Sequence, residues 1–447
     1  MTAVDEANLS EIMPSGRLMS AMAGTAHRSR LDDHLARFGS PPLPRRNDRE
    51  WSARFVEVVG HAGLLGRGGA GFPTGRKLAA FRERTGGRAT LRRPVVVANL
   101  MESEPASAKD RSLAIGAPHL VLDGAMLAAR AVRAVSVVVC VSSAHQEAAR
   151  SVEKALHERA NRGIDPLPVR LARPPERYVS GEESALTHWL STGDARPTYR
   201  PDRPALVRVD GHPALVDNAE TLAHLALIAR FGSQWFRTVG TPEAPGTALL
   251  TLSGAVARPS VYEVALGSPL RTVLSGAGAA ADLGGVLLGG YGGAWLSADR
   301  IDVPLAPGPL AQVGCTLGAG VVVALPAEAC GLAETARIVQ WMAGQGAGQC
   351  GPCAFGLPTL ADDMAALAGL SPRRPDRQFM DRLRFRLGEV EGRGACRHPD
   401  GVVGLVKSAL ACFATDVDRH LRHRACPGTA APSMMALPRR TDGGGLR

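Results

Sequence analysis

The stretch Gly63–Lys77 reads GLLGRGGAGFPTGRK, and five glycines (Gly66, Gly68, Gly69, Gly71 and Gly75) fall within ten of its residues. A backbone stripped of side chains lets its amides approach a phosphate or a flat ring closely, and a following helix start adds positive partial charge. The glycines contain a formal G-x-G-x-x-G at Gly66, Gly68 and Gly71. However, the preceding FVEVVGHAGLL has helical rather than strand periodicity, which argues against a standard Rossmann fingerprint. Arg76 stands where a phosphate loop needs its lysine, so that motif is excluded as well. On spacing alone, a ligand cradle and a flexible hinge both remain open.

On either side of this loop the pattern changes twice. From Trp51 to about Phe236 strand-like runs (Val95–Ala98, Ala134–Val141, Leu167–Leu171) alternate with helical stretches (Pro118–Arg133, Ala144–Asn161, Glu182–Leu190). That alternation predicts an α/β layer on a mostly parallel sheet, occupying residues 51–236. Residues 246–305 turn to short strands and glycine turns (TALLTLSG, GVLLGG, GGAWLS) with one helical piece at Pro269–Ser275, which reads as a small β domain. Residues 327–426 are helical, with Thr335–Met342, Pro358–Ala368, Phe379–Leu387 and Val402–Leu421 as four candidate antiparallel helices. Residues 1–50 read as a mobile N-terminal arm and 427–447 as a disordered tail.

Of the 447 residues, 45% are hydrophobic, enough for buried cores, and no apolar run approaches the roughly 18 needed to span a bilayer. The first residues, MTAVDEANLS, lack the apolar core of a signal peptide, and eight cysteines are too few for a disulfide scaffold, so a cytoplasmic protein without direct membrane insertion is expected. The formal charge is +10, and 48 of the 52 basic residues are arginine. They are dispersed, without a basic block, and aromatics are only 4%, which argues against nucleic acid and leaves an acidic redox protein as the partner consistent with the charge.

The whole string GLLGRGGAGFPTGRK resembles the flavin- and NADH-binding segment of the NADH-binding (51 kDa, F-type) subunit of respiratory complex I and related diaphorase subunits. Three further blocks resemble the same family in the same order: Asn99–Arg111 (NLMESEPASAKDR), Tyr178–Leu186 (YVSGEESAL) and Val216–Leu222 (VDNAETL). The resemblance implies a Rossmann-like FMN/NADH domain, a ubiquitin-like β-grasp (SLBB) domain and a helical bundle with an iron–sulfur site. By similarity Gly66, Arg67, Gly68, Gly69 and Lys77 line the FMN site, and Phe72 stacks on the adenine of the nucleotide. Asn99 and Glu102 match the family's acidic segment, and Glu104 faces the nicotinamide half, making it the catalytic candidate. Gly181, Glu182 and Glu183 match the family's GEE, with Glu183 accepting from ribose hydroxyls and favouring NAD over NADP. Arg200 stands where the family has Lys, and Arg203 where it commonly has Phe. Asp217, Asn218 and Thr221 match a run that usually begins Asn-Asn, and Met101 replaces an Asp. Asp217 thereby brings a negative charge to the flavin phosphate region.

Cys350 and Cys353 form C-x-x-C, with Cys396 following and His398 two residues beyond it. Thiolates on loops between helices suit iron–sulfur ligation. The family pattern has a further Cys where this chain has Ala347, so three thiolates remain for a 4Fe–4S or 3Fe–4S cluster. Cys330 can substitute only if its helix end folds back, and His398 only in principle, since the family's His is not a ligand. Cys140, Cys315, Cys412 and Cys426 lack ligand-like spacing. QCGPC is also a thioredoxin-type dithiol motif, although no strand precedes it. The expected function is therefore an NADH-oxidising flavoprotein that passes electrons from NADH through FMN and the cluster to a protein acceptor such as a ferredoxin. The alternatives are a degenerate electron-transfer or assembly subunit, and a dithiol oxidoreductase.

Overall fold

Val95–Leu100 (β1) and Ser136–Val141 (β2) are almost wholly buried runs of branched residues, the pattern of strands covered on both faces. In the computed structural model, which describes residues 17–22, 30–44, 48–86, 92–199, 206–423 and 425–438, they pair in parallel as the middle of a five-stranded sheet. Val169–Ala172 (β3) adds in parallel beyond β2. His212–Asn218 (β5) adds in parallel on the other side of β1, and the two-residue Arg208–Val209 (β4) closes that edge antiparallel. The order is β3-β2-β1-β5-β4. Alternation along β1 sends Val96, Ala98 and Leu100 towards the helices Arg49–Ala62, Pro118–Ala131 and Ala219–Phe236. Val95 and Val97 point to the opposite face, under Leu186 of helix Glu183–Thr192.

The chain leaves β1 towards β2, yet β5 returns on β1's other side. A crevice therefore opens between the carboxyl ends of β1 and β5, where open α/β sheets bind ligands. The register sets Asn99 beside Asn218 at its mouth.

A second sheet has the order β7-β6-β10-β8-β9, from Thr247–Gly254 (β6), Ser260–Ala265 (β7), Leu283–Leu288 (β8), Ala294–Leu296 (β9) and Val321–Pro326 (β10). The helix Leu270–Gly276 follows the first hairpin, and β10 lies centrally, parallel to β6 and antiparallel to β8. This is the expected grasp arrangement. Its last strand, however, lies beyond residue 305, because the open edges of β6 and β8 are satisfied only by Val321–Pro326 between them.

Helices Gly331–Gln345, Leu357–Leu367, Phe379–Val390 and His398–Cys412 build the bundle. The expected helix at 402–421 is two helices. The first ends at Cys412 and Ala414–His423 begins anew, with Phe413 between them buried against Trp295. The terminal segments also depart from expectation in their described parts. Arg17 donates to the Trp235 and Phe236 carbonyls at 2.9 Å, and His34 Nε2 lies 2.8 Å from Asp123. Met435 is buried, and Tyr291 donates to the Ala436 carbonyl at 2.8 Å.

Among the described residues no single helix is long and apolar enough to cross a membrane. The most apolar pair, Lys109–Gly116 with Pro118–Ala131, is bent by 99° and contributes to the core. Helix Pro118–Ala131 packs so tightly on Ala219–Phe236 that a Cβ on Gly124 would lie 1.8 Å from the Leu222 carbonyl oxygen. The Gly124→Ala variant should therefore lose roughly 3 kcal/mol of unfolding free energy, read as a lower urea midpoint. An unchanged midpoint would refute the contact.

Candidate functional site

The glycine loop arches over the crevice. Gly66 N–H donates to the Phe72 carbonyl at 2.9 Å, and Leu65 bridges Pro73, closing the loop before helix Thr74–Gly86. Gly69 and Gly71 have φ of 106° and 61°, conformations that L side chains resist, and Gly69 bridges Gly318 of the second domain. The Arg67 N–H donates to Thr221 Oγ1 at 2.9 Å, fastening the loop to the start of helix Ala219–Phe236. A hinge has no need of such fastening on both sides.

Beneath the loop is a cavity of about 470 Å³, a size suited to a cofactor. Of the residues singled out in the sequence, it is lined by Gly66, Arg67, Gly68, Phe72, Lys77, Asn99, Glu102, Glu104, Gly181, Glu182, Glu183, Asp217, Asn218 and Thr221. Gly69 borders a smaller neighbouring cavity of about 160 Å³ instead. Arg200 and Arg203 lie outside the described residues.

The lining residues do different work. Glu102, at φ 45°, accepts from Ser107 Oγ at 2.7 Å and from the Asp110 and Arg111 amides at 2.9 Å, so both its oxygens cap the helix Lys109–Gly116. Glu182 is likewise the N-cap of helix Glu183–Thr192, accepting from Ser184 and Ala185 amides at 2.9 and 3.0 Å. Asn99 Nδ2 donates to the Gly181 carbonyl at 2.9 Å. A Cβ on Gly181 would lie 2.4 Å from Ser103 Oγ, so a larger residue there would require the Ser103 hydroxyl to turn aside. These four shape the walls.

Other groups face the space. Lys77 Nζ donates to Asp217 Oδ1 at 2.8 Å and also reaches the Val216 carbonyl. Burial works against its charge, but Asp217 and Glu183 outweigh it and raise its pKa. The negative charge that Asp217 brings is thus matched on the spot. Asp217 Oδ2 and Thr74 Oγ1 are buried with no partner among the described residues, the mark of a wall awaiting a polar ligand. Phe72 is half exposed at the rim, not a core aromatic. Glu104 is buried instead of solvated. It accepts from the Tyr291 amide at 2.9 Å and from Tyr178 at 3.4 Å, and burial pushes its carboxyl up to about 7.

Three features lie outside the residues that the sequence points to. Lys109 is buried between Asp110 (3.0 Å) and Glu220 (2.9 Å), which together hold its pKa well above the ordinary lysine value despite burial. Ala319, from the second domain, lines the cavity. So does Arg397, from the bundle, directly after Cys396. Only three-dimensional packing reveals these.

Cys350 and Cys396 both lie near enough to Cys353 to act on its thiol. Burial first, then the adjoining Cys350 and Cys396, push the Cys353 thiol up to about 12, and burial, followed by Glu182 and Cys350, raises Cys396 as well. Cys353 and Cys396, both held towards the thiol form, suit a cation that would hold them as thiolates. His398 Nε2 is spent on the Met342 carbonyl at 3.0 Å. Cys330 lies at the other end of the 15-residue helix Gly331–Gln345, about 22 Å away at 1.5 Å per residue, and cannot join them. The C-x-x-C follows a helix and a loop rather than a strand, unlike a thioredoxin dithiol.

A model of the Nuo51 FMN-binding domain matches residues 59–227, and one of the NADH-ubiquinone oxidoreductase-F iron–sulfur binding region matches 333–420. The F-type subunit of NADH-quinone oxidoreductase from Mycobacterium tuberculosis is 30% identical over 393 residues, 85% of this chain and 87% of that protein. The corresponding F-type subunit from Rhizobium meliloti, the second of its kind there, is 29% identical over 385 residues, 83% of this chain and 90% of that one. A crystal structure of an NAD+-reducing [NiFe]-hydrogenase in the H2-reduced state superposes with TM-score 0.75 at 29% identity. It covers 84% of this chain, which spans 63% of that longer chain.

The Glu104 carboxyl gives a pH signature. Its folded pKa, about 7, exceeds the ordinary 4.5. The stability associated with its protonated form is complete below 4.5 and is lost as pH rises towards 7. Between pH 4.5 and 7, denaturation curves of wild type should therefore fall in stability relative to Glu104→Gln. Parallel curves would show that Glu104 is already ionised.

Proposed function

Because the chain belongs to the F-type subunit family of NADH-quinone oxidoreductases, we propose that the cavity under the glycine loop holds FMN with NADH against it, and that electrons leave through the cysteine-bound cluster. The chain is an NADH dehydrogenase/diaphorase-type oxidoreductase subunit with FMN and a 4Fe–4S cluster as cofactors. The observation that carries the path is the shared wall: Arg397 lines the cavity while its neighbour Cys396 lies among the cluster thiols, and the Glu182 charge acts on Cys396.

The residues fit the cofactors. Side-chain-free backbone at Gly66, Gly68 and Gly71 opens onto the cavity, and the unpartnered Asp217 and Thr74 oxygens offer polar contacts. Bound FMN supplies the conversion of a two-electron donor into one-electron steps. The chain's own groups orient and shield. Phe72 offers a flat apolar face at the rim. Glu183 receives ribose hydroxyls and disfavours a 2′-phosphate. Lys77 balances Asp217. Met101, buried, presents an apolar surface where the family has a carboxylate. Glu104 shares its proton about evenly near neutrality and marks the nicotinamide side. Hydride transfer needs no protein base, so positioning and exclusion of water are the contribution of these side chains. Cys350, Cys353 and Cys396 would supply three thiolates, leaving one iron without a cysteine.

The acceptor is another redox protein, and a larger multi-subunit assembly of the complex I or NAD-reducing hydrogenase kind provides one. A ferredoxin is one member of that class.

Anaerobically purified full-length protein should be yellow and bleach on titration with NADH, and absence of an NADH-bleachable chromophore would overturn the proposal. Glu183→Ala should raise KM for NADH roughly tenfold, the loss of one charge-assisted hydrogen bond, with flavin content unchanged. Ala347→Cys should slow loss of iron in air, measured as iron per chain over time. Equal loss would mean that the three thiolates already saturate the site.

A further inference from the structure

Away from the cavity, three side chains converge with the chemistry of a soft-metal site. Cys330 Sγ, His420 Nε2 and Cys426 Sγ lie within 4.8 Å of one another, and Cys330 Sγ is 3.6 Å from His420 Nε2. Cys330 and His420 are buried and Cys426 partly so. They come from the start of helix Gly331–Gln345, from helix Ala414–His423, and from the segment that follows it.

The imidazole is held in one tautomer. His420 Nδ1 lies 3.0 Å from the Leu367 carbonyl, which can only accept, so Nδ1 carries the proton and Nε2 is left as the acceptor, 3.6 Å from Cys330 Sγ. Metal-binding histidines are oriented in this way by a carbonyl on the outer nitrogen. The Cys426 amide donates to Nε2 at 3.2 Å, a bond that a bound cation would replace, and the Ala333 amide donates to Cys330 Sγ at 3.4 Å, although burial outweighs that bond and raises the Cys330 thiol to about 11. Thr429 Oγ1 lies 3.7 Å from Cys426 Sγ. The location is set apart from the cluster cysteines by the length of helix Gly331–Gln345. A Cys330–Cys426 disulfide would leave the aimed imidazole without a role.

We propose that Cys330, His420 and Cys426 bind one zinc-class divalent cation. Binding releases two protons, one from each thiol. Two thiolates and a neutral imidazole then surround a doubly charged ion, so the buried site is electroneutral, and no electron is transferred. Three protein donors leave a fourth position for water, bordered by the Thr429 hydroxyl. The ion would pin the segment after residue 425 to the bundle, where Arg337 already donates to the Thr429 and Ala431 carbonyls at 3.0 and 2.9 Å and Ser433 to Glu334 at 2.7 Å.

The test is metal counting on the full-length protein, produced with zinc and iron in the medium and purified anaerobically without a histidine tag. Wild type should carry about one zinc per chain beside its iron, the expectation for a dedicated site. Cys330→Ser and His420→Ala should lose the zinc at unchanged iron, and the double variant Cys350→Ser/Cys353→Ser should lose iron at unchanged zinc. Should a variant fold poorly, zinc-depleted wild type titrated with Co2+ should develop thiolate-to-cobalt charge-transfer and tetrahedral d–d bands. The proposal is overturned by wild type with full iron, no zinc and no cobalt bands; by zinc that persists in the double variant Cys330→Ser/His420→Ala; by zinc that departs with the iron; or by a Cys330–Cys426 disulfide in the mass spectrum. None of these readouts involves NADH or flavin, so the outcome stands apart from that of the proposed activity.

Discussion

Everything around the cavity depends on one buried cluster of charges. Arg67 and Lys109 face Glu220 and Asp110, and the members come from three structural corners: the glycine loop, the helix after β1 and the helix after β5. Glu220 Oε1 also accepts from the Leu249 amide of β6 at 2.8 Å, and Arg67 donates to the Thr247 carbonyl at 2.8 Å. The two sheets are therefore joined by ionic hydrogen bonds. Burial opposes each charge, but the Glu220 carboxyl is nonetheless held down to about 2 by Lys109, His224 and Arg67. Such a cluster is costly to desolvate and costly to break, since removing one member strands another; its use is to fix a geometry. Here the fixed geometry is the height of the glycine loop above the ends of β1 and β5.

Much of this is legible in the order of residues alone. The run AVSVVVCV reads as a buried strand, while the five glycines before FPTGRK leave a cradle and a hinge equally open until the resemblance is added. The cavity gathers most of the residues assigned by resemblance, though with a division of labour that resemblance does not reveal: Glu102 and Glu182 cap helices, while Lys77 and Asp217 neutralise each other.

Other parts are hidden for definite physical reasons. β5 is obscure because HPALVDN has only a short apolar middle flanked by polar ends. β10 carries a branched run, VVV, of the kind seen in β2, but its place in the second sheet is hidden because its partners lie some 70 and 35 residues earlier. The helix boundary at Phe413 reflects tertiary packing on Trp295 overriding a continuous helical pattern. The Cys330–His420–Cys426 group spans 90 residues between its first two members, so no spacing rule can find it.

The provenance of the cavity's walls bears on how this architecture can change. Ala319 belongs to the second domain and Arg397 to the bundle, so a chain trimmed to its first sheet would present a trough open on two sides. Such a fragment could keep every glycine of the loop and still let its cargo escape. The molecule is thus modular in appearance but not in the closure of its cavity, which takes one residue from each of the later parts.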